Sequence, residues 1–424
     1  MEAQSYADDY YLPGSPGDVL RMIRRSPSVS RSELVKATEL AAATVSLRVE
    51  SLMRLGLVKE VDGQAPRGGR RPRPLEIAAQ AGFVAAIELG ANHARLDVSD
   101  LSGRPLSVLD STDGAVSVPD SNLGVNEVAD QLWAAIQKAA DRAGLAMPDF
   151  LGAAISVPAP VDYPSGRLAT PSSMPNWHEF VLPHAFARLT DRPILVENDA
   201  NLIALDQSQR SGSPTAQDLI AVKLGSRIGS GIVINGLLYR GQNGVAGEIA
   251  HVAVPGTSYL SCSCGVDNCL ESVASGGALA ARLRSEGLQV EGPSDVVTLG
   301  DSGNRNAAVA IREAGESIGR VLASVVNLLN PGTVVLAGRM STSSTLVAAI
   351  RGEIYRHSFP VATRTLSVHS LPHDAHPGIV GATMLILNEV LAPARVNLLL
   401  DQQGLTHHND IVTTRHQRRE GVDA

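Results

Sequence analysis

The sequence predicts an α/β protein with two parts, a small helical module at the N-terminus and a larger body of alternating strands and helices. Residues 19–75 contain twelve Arg or Lys side chains against five Asp or Glu, whereas the whole chain has a formal charge of −7. Beyond residue 76, apolar runs of strand length alternate with segments of helical periodicity. A basic module joined to an acidic body indicates one part that meets phosphates and another that does not.

Composition narrows the class of protein. The chain has 424 residues, of which 44% are hydrophobic, enough for two or three domains with their own cores. It contains no run of eighteen apolar residues, and its first thirty residues lack an apolar signal segment. We therefore expect a cytoplasmic protein with no membrane partner.

Three helices are predicted in the basic module. The first has one apolar face, formed by Val19, Leu20 and Ile23, and the pair Ser26-Pro27 ends it. A capping box of Ser30 and Glu33 begins the second helix.

The third helix, about residues 42–55, has the features of a recognition helix. It buries Val45, Val49 and Leu52 at helical spacing, and its other faces carry Thr44, Ser46, Leu47 and Arg48. Small hydroxyl side chains near a helix N-terminus can approach base edges, and an arginine can reach a phosphate or a guanine. We predict that these four residues contact DNA.

After Gly56, the sequence predicts a wing of two strands. Residues 57–63 form a strand and turn, and residues 64–77 return as a second strand. Between them lie Arg67, Arg70 and Arg71, which suit a narrow minor groove. Residues 15–75 are thus predicted to be a winged helix-turn-helix domain after a flexible arm, residues 1–14. The alternatives are an interaction or dimerisation module and, for the arginines alone, a solvated linker.

All three cysteines of the chain lie within eight residues. Cys262, Cys264 and Cys269 follow His251 by eleven or more positions, and one imidazole with three thiolates can close a tetrahedral site. Such a site leaves no position open for water, so the sequence predicts one structural zinc per chain. The alternative is an incidental cluster of reduced cysteines.

Six features follow one another in a fixed order. They are the winged-helix segment, VPAPVD, ENDAN, G-x-x-x-G-x-G, GEIAH and CSCGVDNCLE. In this order they resemble the ROK (repressor, open reading frame, kinase) family, over about residues 19–391. The chain is most similar to the family's xylose-repressor and N-acetylglucosamine-repressor type, which carries a DNA-binding domain.

The resemblance implies an actin-like or hexokinase-like body in two lobes. Lobe I would span residues 76–200, completed by about 376–398, and lobe II would span residues 201–375 with the zinc loop. Residues 399–424 would form a polar tail. We expect the chain beyond Ala392, with its short apolar patch VNLLL, to be largely disordered.

The resemblance also implies a sugar site. Its predicted contacts are Asn198, Asp199, Glu248, His251 and Glu271. In family kinases the aspartate at the position of Asp199 is the catalytic base. Ser173 stands where an asparagine is common in the family, so the identity of the sugar stays open.

The nucleotide-binding motifs of the family are altered in this chain. The first phosphate loop reads Glu88, Gly90, Ala91 and Asn92, the second reads Gly225, Ser226 and Arg227, and the adenosine-side motif reads Ala337, Gly338 and Arg339. Without loops that hold ATP, Asp199 has no reaction to catalyse. The sequence therefore predicts a protein without enzymatic activity.

Together these features predict a sugar-responsive transcriptional repressor. Its partners would be a small sugar, a palindromic double-stranded DNA operator and further copies of the chain, as a homodimer or tetramer. It would be associated with the nucleoid when bound to DNA. Two alternatives remain, an active sugar kinase with an added DNA-binding domain and a regulator that binds no sugar.

Overall fold

The computed structural model describes the chain in segments: residues 13–26, 28–61, 73–90, 93–112, 114–120, 123–163, 165–168, 177, 180–210, 216–262 and 264–405. Seven residues singled out above lie outside this part, namely Pro27, Arg67, Arg70, Arg71, Ala91, Asn92 and Ser173.

Three helices and a two-stranded sheet form the N-terminal unit, which we call the winged-helix unit (residues 13–77). Its elements are α1 (Pro16–Arg25), α2 (Arg31–Thr38), α3 (Ala42–Arg54), β1 (Val58–Glu60) and β2 (Leu75–Ile77). The capping box of Ser30 and Glu33 is present at the start of α2, and β1 pairs antiparallel with β2. Both were predicted from local sequence, and the observed elements agree with that prediction.

Lobe I is built on a five-stranded sheet with the order β5-β4-β3-β6-β9. Its strands are β3 (Phe83–Leu89), β4 (Ala94–Asp100), β5 (Pro105–Asp110), β6 (Phe150–Val157) and β9 (Ile194–Asn198), and a small hairpin of β7 (Val161–Asp162) and β8 (Arg167–Leu168) lies beside them. Helices α4 (Val125–Arg142) and α5 (Leu182–Phe186) contribute to the core on one face. Every residue of the central strand β3 except Glu88 is buried, as expected for a strand covered on both faces.

Lobe II repeats this plan with the strand order β12-β11-β10-β13-β14. Its strands are β10 (Leu219–Leu224), β11 (Ile228–Ile234), β12 (Leu237–Tyr239), β13 (Thr333–Ala337) and β14 (Ser367–Ser370). Six helices accompany the sheet: α7 (Leu270–Ala274), α8 (Gly276–Ser285), α9 (Pro293–Asp301), α10 (Arg305–Leu329), α11 (Ser344–His357) and α12 (Pro360–Thr363).

The two sheets have the same topology. In each, three antiparallel strands are followed by two that run parallel to the first strand of the lobe. Helices α6 (Asp199–Arg210) and α13 (Pro377–Val390) cross between the lobes, so closely that a Cβ on Gly381 would lie 2.0 Å from the carbonyl oxygen of Leu202. The predicted two-lobed α/β architecture is confirmed.

The chain beyond Ala392 differs from the prediction. Pro393–Gln402 forms helix α14, and the predicted start of the tail at residue 399 falls inside it. Val396 and Leu400 lie one helical turn apart, are fully buried, and belong to the same hydrophobic cluster as Leu20 of α1. The apolar patch is therefore a packing surface for the winged-helix unit. The tail residues from 406 onward lie outside the described part of the chain.

No single helix among the described residues is long and apolar enough to cross a membrane. Helices α13 and α14 are long and apolar enough only when taken together, and the two helices are bent by 43° relative to each other.

Candidate functional site

The cysteine-containing loop of lobe II is closed at its base by backbone pairing. Val254 N donates to the carbonyl of Asn268, and Leu270 N donates to the carbonyl of Val252, each at 2.9 Å. These bonds bring the segment after His251 against the segment that holds Cys269. His251 and Cys269, which are eighteen positions apart, therefore lie close together at the base of the loop.

Four side chains with metal-binding atoms converge there. One ligand atom from each of His251, Cys262, Cys264 and Cys269 lies within 4.8 Å of the other three. In a zinc site with bonds of about 2.3 Å, neighbouring sulfurs lie roughly 3.8 Å apart, so small side-chain movements would close this cluster around an ion. One imidazole and three thiols are the donor set that zinc prefers. The residues present therefore fit the metal that the sequence predicts.

His251 connects this cluster to the cleft between lobe I and lobe II. Its Nδ1 lies 3.5 Å from Sγ of Cys262, and its Nε2 lies 3.7 Å from Oε2 of Glu248. A metal bound at Nδ1 would fix the proton on Nε2, facing Glu248. Burial, followed by the charge of Arg227, lowers the pKa of His251, which favours the neutral imidazole that binds metals.

Two glycines place Glu248 between the lobes. Gly247 has φ +93°, and a Cβ there would lie 2.4 Å from the carbonyl oxygen of Ser230. Gly244 has φ +73°, and a Cβ there would lie 2.2 Å from the carbonyl oxygen of Val161 in lobe I. Both positions need glycine because a side chain would meet backbone and because the left-handed region favours a residue without Cβ.

Glu248 is partly buried and lies in an acidic environment. The pKa of Glu248 is raised to about 7. Burial is the main cause of this rise, and the charges of Asp199 and Glu271 add to it. Three of the predicted sugar contacts, Asp199, Glu248 and Glu271, therefore lie close enough to influence one another. The structure also places His251 beside Glu248.

Asn198 and Asp199 lie where β9 ends and α6 begins. Oδ1 of Asn198 accepts hydrogen bonds from Ala200 N and Asn201 N, and its Nδ2 donates to the carbonyl of Ala159 at 3.1 Å. The amide of Asn198 thus organises the first turn of α6. Asp199, 6% exposed, is the first residue of that helix.

Lys223 is a site residue that sequence reasoning missed. It lies in β10 and its Nζ donates to Oδ2 of Asp199 at 2.5 Å. Burial alone would lower the pKa of Lys223, but the charges of Asp199 and Glu88 outweigh burial and raise it. The available signal was a single lysine inside the apolar run LIAVKL, since a charged residue in a buried strand requires a partner.

Glu271 fixes the turn between β10 and β11. Its side chain is 1% exposed, accepts from Ile228 N at 2.7 Å, and lies 3.4 Å from Nη1 of Arg227. Burial raises the pKa of Glu271, and those two partners partly oppose the rise. Because Glu271 follows Cys269 by two residues, the hairpin turn and the cluster of His251 and the three cysteines are joined through one short helix, α7.

Three described glycine and serine residues of the altered nucleotide motifs are engaged within the protein. A Cβ on Gly90 would lie 2.0 Å from the ring of His93, so that ring covers the glycine. The carbonyls of Gly225 and Ser226 accept hydrogen bonds from the first amides of α8, Gly276 N and Gly277 N, each at 3.0 Å.

The predicted DNA contacts of α3 have different exposures. Leu47 is 42% exposed, and Thr44 and Ser46 are half-buried. Arg48 is also half-buried, and its Nη1 is directed toward the start of α1, where a Cβ on Gly14 would lie 3.0 Å away. Leu47 is thus the most exposed of the four, whereas Arg48 lies against its own domain in this structure.

Comparison with known proteins identifies the body. The ROK family profile matches residues 84–389, which cover most of the chain. The chain belongs to the ROK family. The predicted family resemblance is confirmed.

Full-length relatives carry regulatory names. This ROK protein is 27% identical over 388 residues to a putative xylose repressor of Caldicellulosiruptor sp. (strain Rt8B.4), covering 88% of this chain and 95% of the relative. It is also 27% identical over 395 residues to the DNA-binding transcriptional dual regulator NagC of Escherichia coli (strain K12), covering 90% and 94%.

Solved structures agree with this fold. A ROK family transcriptional regulator, described as a homolog of the E. coli MLC protein, has a TM-score of 0.76 at 22% identity and covers 90% of this chain and 98% of its own. A ROK family glucokinase from Streptomyces griseus, solved with glucose and AMPPNP, has a TM-score of 0.59 at 25% identity. The glucokinase covers 72% of this chain and 99% of its own, and the regulator matches a larger share of this ROK protein.

Proposed function

We propose that this ROK protein is a sugar-responsive transcriptional repressor without kinase activity. The observation that carries the proposal is the combination, in one chain, of a winged-helix unit with an inter-lobe cluster of Asp199, Glu248, His251 and Glu271. Relatives named as a xylose repressor and an N-acetylglucosamine repressor match the chain over nearly its whole length, which supports the same role.

DNA binding is assigned to the winged-helix unit. Helix α3 presents Thr44, Ser46 and Leu47 to a major groove, and the segment between β1 and β2, with Arg67, Arg70 and Arg71, meets the neighbouring minor groove. Two chains related by a two-fold axis would place two such helices about one helical turn apart on a palindromic operator. We therefore propose a cytoplasmic homodimer, able to form tetramers.

The effector is a small sugar held between the lobes. Carboxylates that each accept from two hydroxyls suit a polyol, and buried polar groups left unpaired would reject a wrong sugar. Asp199, Glu248, His251 and Glu271 form this site, and Asn198 and Ser173 are proposed as further contacts. Closure of the lobes around the sugar would change the spacing of the paired winged-helix units and release the operator.

One structural zinc per chain would be held by His251, Cys262, Cys264 and Cys269. Bound there, zinc would supply structural rigidity, because four protein ligands leave no position for a reacting water. The cluster would fix the orientation of His251 and, through α7, the position of Glu271.

The absence of kinase activity is proposed from the residues that replace the family's phosphate-binding loops. Phosphoryl transfer depends on loops that hold the nucleotide and its metal close to the acceptor hydroxyl. Here His93 covers Gly90, and Arg227, directed at Glu271, stands where the family has a glycine.

Fluorescence anisotropy tests the proposal. A labelled DNA fragment from upstream of the protein's own coding region is titrated with the full chain at a stated salt concentration, alone and with D-xylose, D-glucose, N-acetylglucosamine or N-acetylglucosamine 6-phosphate. We expect specific binding that one of these sugars weakens at least about tenfold, equivalent to roughly 1.4 kcal/mol of coupling.

A matched variant separates sugar sensing from DNA binding. Asp199→Asn removes a carboxylate from the cleft and changes no residue of the winged-helix unit, so it should retain operator affinity and lose the response to sugar. Operator binding unaffected by any sugar would favour a regulator that uses its ROK body only as a scaffold. Sugar-dependent consumption of ATP in a coupled assay would contradict the assignment as a non-enzyme.

A further inference from the structure

The floor of the cleft holds a cation supplied by the chain itself. Lys223 extends from β10 of lobe II to Asp199, the first residue of the inter-lobe helix α6, with 2.5 Å between Nζ and Oδ2. The side chain of Asp199 is 8% exposed and that of Lys223 is 24% exposed. The pair is therefore mostly shielded from water but still borders the cleft.

A second carboxylate shares this charge. Glu88 is the only residue of β3 that is not fully buried, and it lies next to the start of α13, where a Cβ on Gly378 would be 3.2 Å from Oε1. Burial alone would raise the pKa of Glu88, but a hydrogen bond from His93 and the charge of Lys223 lower it. Lys223 is therefore paired with Asp199, and its charge also favours the ionised form of Glu88.

Phosphoryl transfer to a hydroxyl held by Asp199 would need a divalent ion in the cleft. Metal ions neutralise the charge that develops during phosphoryl transfer, and hard divalent ions are bound by carboxylate oxygens. An ammonium on Asp199 satisfies that carboxylate with a fixed single charge and repels a second cation.

We infer that Lys223 acts as a tethered cation, occupying the place beside Asp199 that a divalent metal ion would otherwise take. Its role is one of positioning and specificity: it holds the Asp199 carboxylate in the cleft for sugar hydroxyls and excludes the metal that phosphate chemistry requires. The inference rests on the proposed function as a sensor without kinase activity. Its test requires neither sugar nor DNA.

Manganese binding tests the inference directly, because Mn²⁺ prefers oxygen ligands and has an EPR signal that is lost on binding. The full chain, with its own zinc retained, is titrated with Mn²⁺. The wild-type protein and Lys223→Arg, which keeps the charge, should show no site that depends on Asp199. Lys223→Met should gain one Mn²⁺ per chain, with affinity at least about tenfold higher than in the wild type. Removing the positive charge of Lys223, roughly 4 Å from the bound ion, changes the binding free energy by that order.

Thermal melting gives a second readout. Lys223→Met leaves the buried Asp199 carboxylate without its cation, so the melting temperature should fall, and Mn²⁺ should restore it by binding the folded state. The double variant Lys223→Met/Asp199→Asn should lose both the Mn²⁺ site and the recovery. Lys223→Gln, which is neutral but keeps a hydrogen-bond donor, replaces Lys223→Met if that variant does not fold.

Two results would overturn the inference. One is a wild-type protein that binds Mn²⁺ at a site that Asp199→Asn abolishes. The other is a folded Lys223→Met or Lys223→Gln variant that gains no Mn²⁺ site, which would reduce Lys223 to a structural ion pair. Failure of the proposed function would appear elsewhere, as the absence of specific DNA binding or of a sugar response.

Discussion

The backbone amide of Gly17 donates a buried hydrogen bond to Oδ1 of Asn397, with 2.8 Å between the two atoms, although the residues are 380 positions apart. Nδ2 of Asn397 donates in turn to Oγ of Ser15, the residue that caps α1. The first helix of the winged-helix unit is thus capped jointly by its own serine and by α14.

This contact continues toward the cleft. Arg24, near the end of α1, donates to the carbonyl of Leu387 in the last turn of α13, and the first turn of α13 lies beside Glu88. Burial, with the neighbouring charge of Arg25, lowers the pKa of Arg24 to about 10. One helix therefore connects the floor of the cleft with the winged-helix unit, and a change in lobe closure has a short physical route to the DNA-binding surface.

Gly17→Ala should loosen this junction. A Cβ at position 17 would lie 2.2 Å from the carbonyl oxygen of Pro393, which is backbone and cannot rotate away. We expect a loss of roughly 1–3 kcal/mol, as for other overpacked sites, despite the better helix propensity of alanine. Denaturant unfolding followed by circular dichroism measures the change.

Gly352→Ala is the matched control for this experiment. Gly352 is also helical, lies exposed in α11, and would have nothing within 4 Å of an added Cβ. This substitution should stabilise the protein by about 0.5–1 kcal/mol. Equal effects of the two changes would show that α1 and α14 are not in close contact.

Asn397→Ala should weaken the same junction through hydrogen bonding. The change leaves the buried Gly17 amide without its acceptor, at a cost of about 1–3 kcal/mol. Gln402→Ala, at an exposed position of the same helix, should stay within about 0.5 kcal/mol of the wild type. Proteolysis of the two variants under native conditions would compare how often the winged-helix unit separates from α14, and equal cleavage rates would contradict the proposed clamp.

The contrast between local and long-range contacts explains which features could be predicted from the sequence. The helices of the winged-helix unit were predictable because their signals are local, as with the capping box of Ser30 and Glu33. The cysteine cluster was predictable because ligand spacing is a local pattern. Helix α14 was missed because its apolar residues Val396 and Leu400 precede a polar segment, and their packing partners lie near the other end of the chain.

Lys223 was missed for a related reason. Its partner Asp199 is contributed by a different element, and the pairing exists only after β10 packs beside α6. Conversely, Arg48 was predicted to face DNA from its place on α3, but the side chain is directed toward Gly14 of its own domain. Periodicity identifies the face of a helix and does not show where a long side chain ends.

Removal of one cysteine should abolish the metal site. Cys262→Ser replaces a thiol that lies 3.5 Å from Nδ1 of His251 with a weaker zinc ligand. We expect the zinc content to fall from one ion per chain to well below one, with a lower melting temperature, because metal binding contributes to folding. Ser261→Ala, an exposed neighbour, should keep the full zinc content. Elemental analysis of protein purified without chelator measures the zinc content of the three proteins. A wild-type protein that lacks zinc would contradict the assignment.

Gly247→Ala should separate the cost of backbone strain from the cost of misplacing Glu248. An alanine in the left-handed region costs roughly 1–2 kcal/mol by itself, and a Cβ at Gly247 would also lie 2.4 Å from the carbonyl oxygen of Ser230. Gly236→Ala is the control, since Gly236 has φ +75° but nothing within 4 Å of a Cβ. Both variants should lose stability from strain, and Gly247→Ala should lose more.

The two variants should differ most in sugar sensing. Because the GEIAH segment must move away from β11 to accommodate the new methyl group, Glu248 shifts relative to Asp199, and a displacement of a binding group by about 1 Å weakens recognition strongly. We expect Gly247→Ala to retain operator binding in the anisotropy titration and to require a sugar concentration at least about tenfold higher for release. Gly236→Ala should respond like the wild type, so an equal shift in both variants would mean that the sugar response reflects overall stability and not the placement of Glu248.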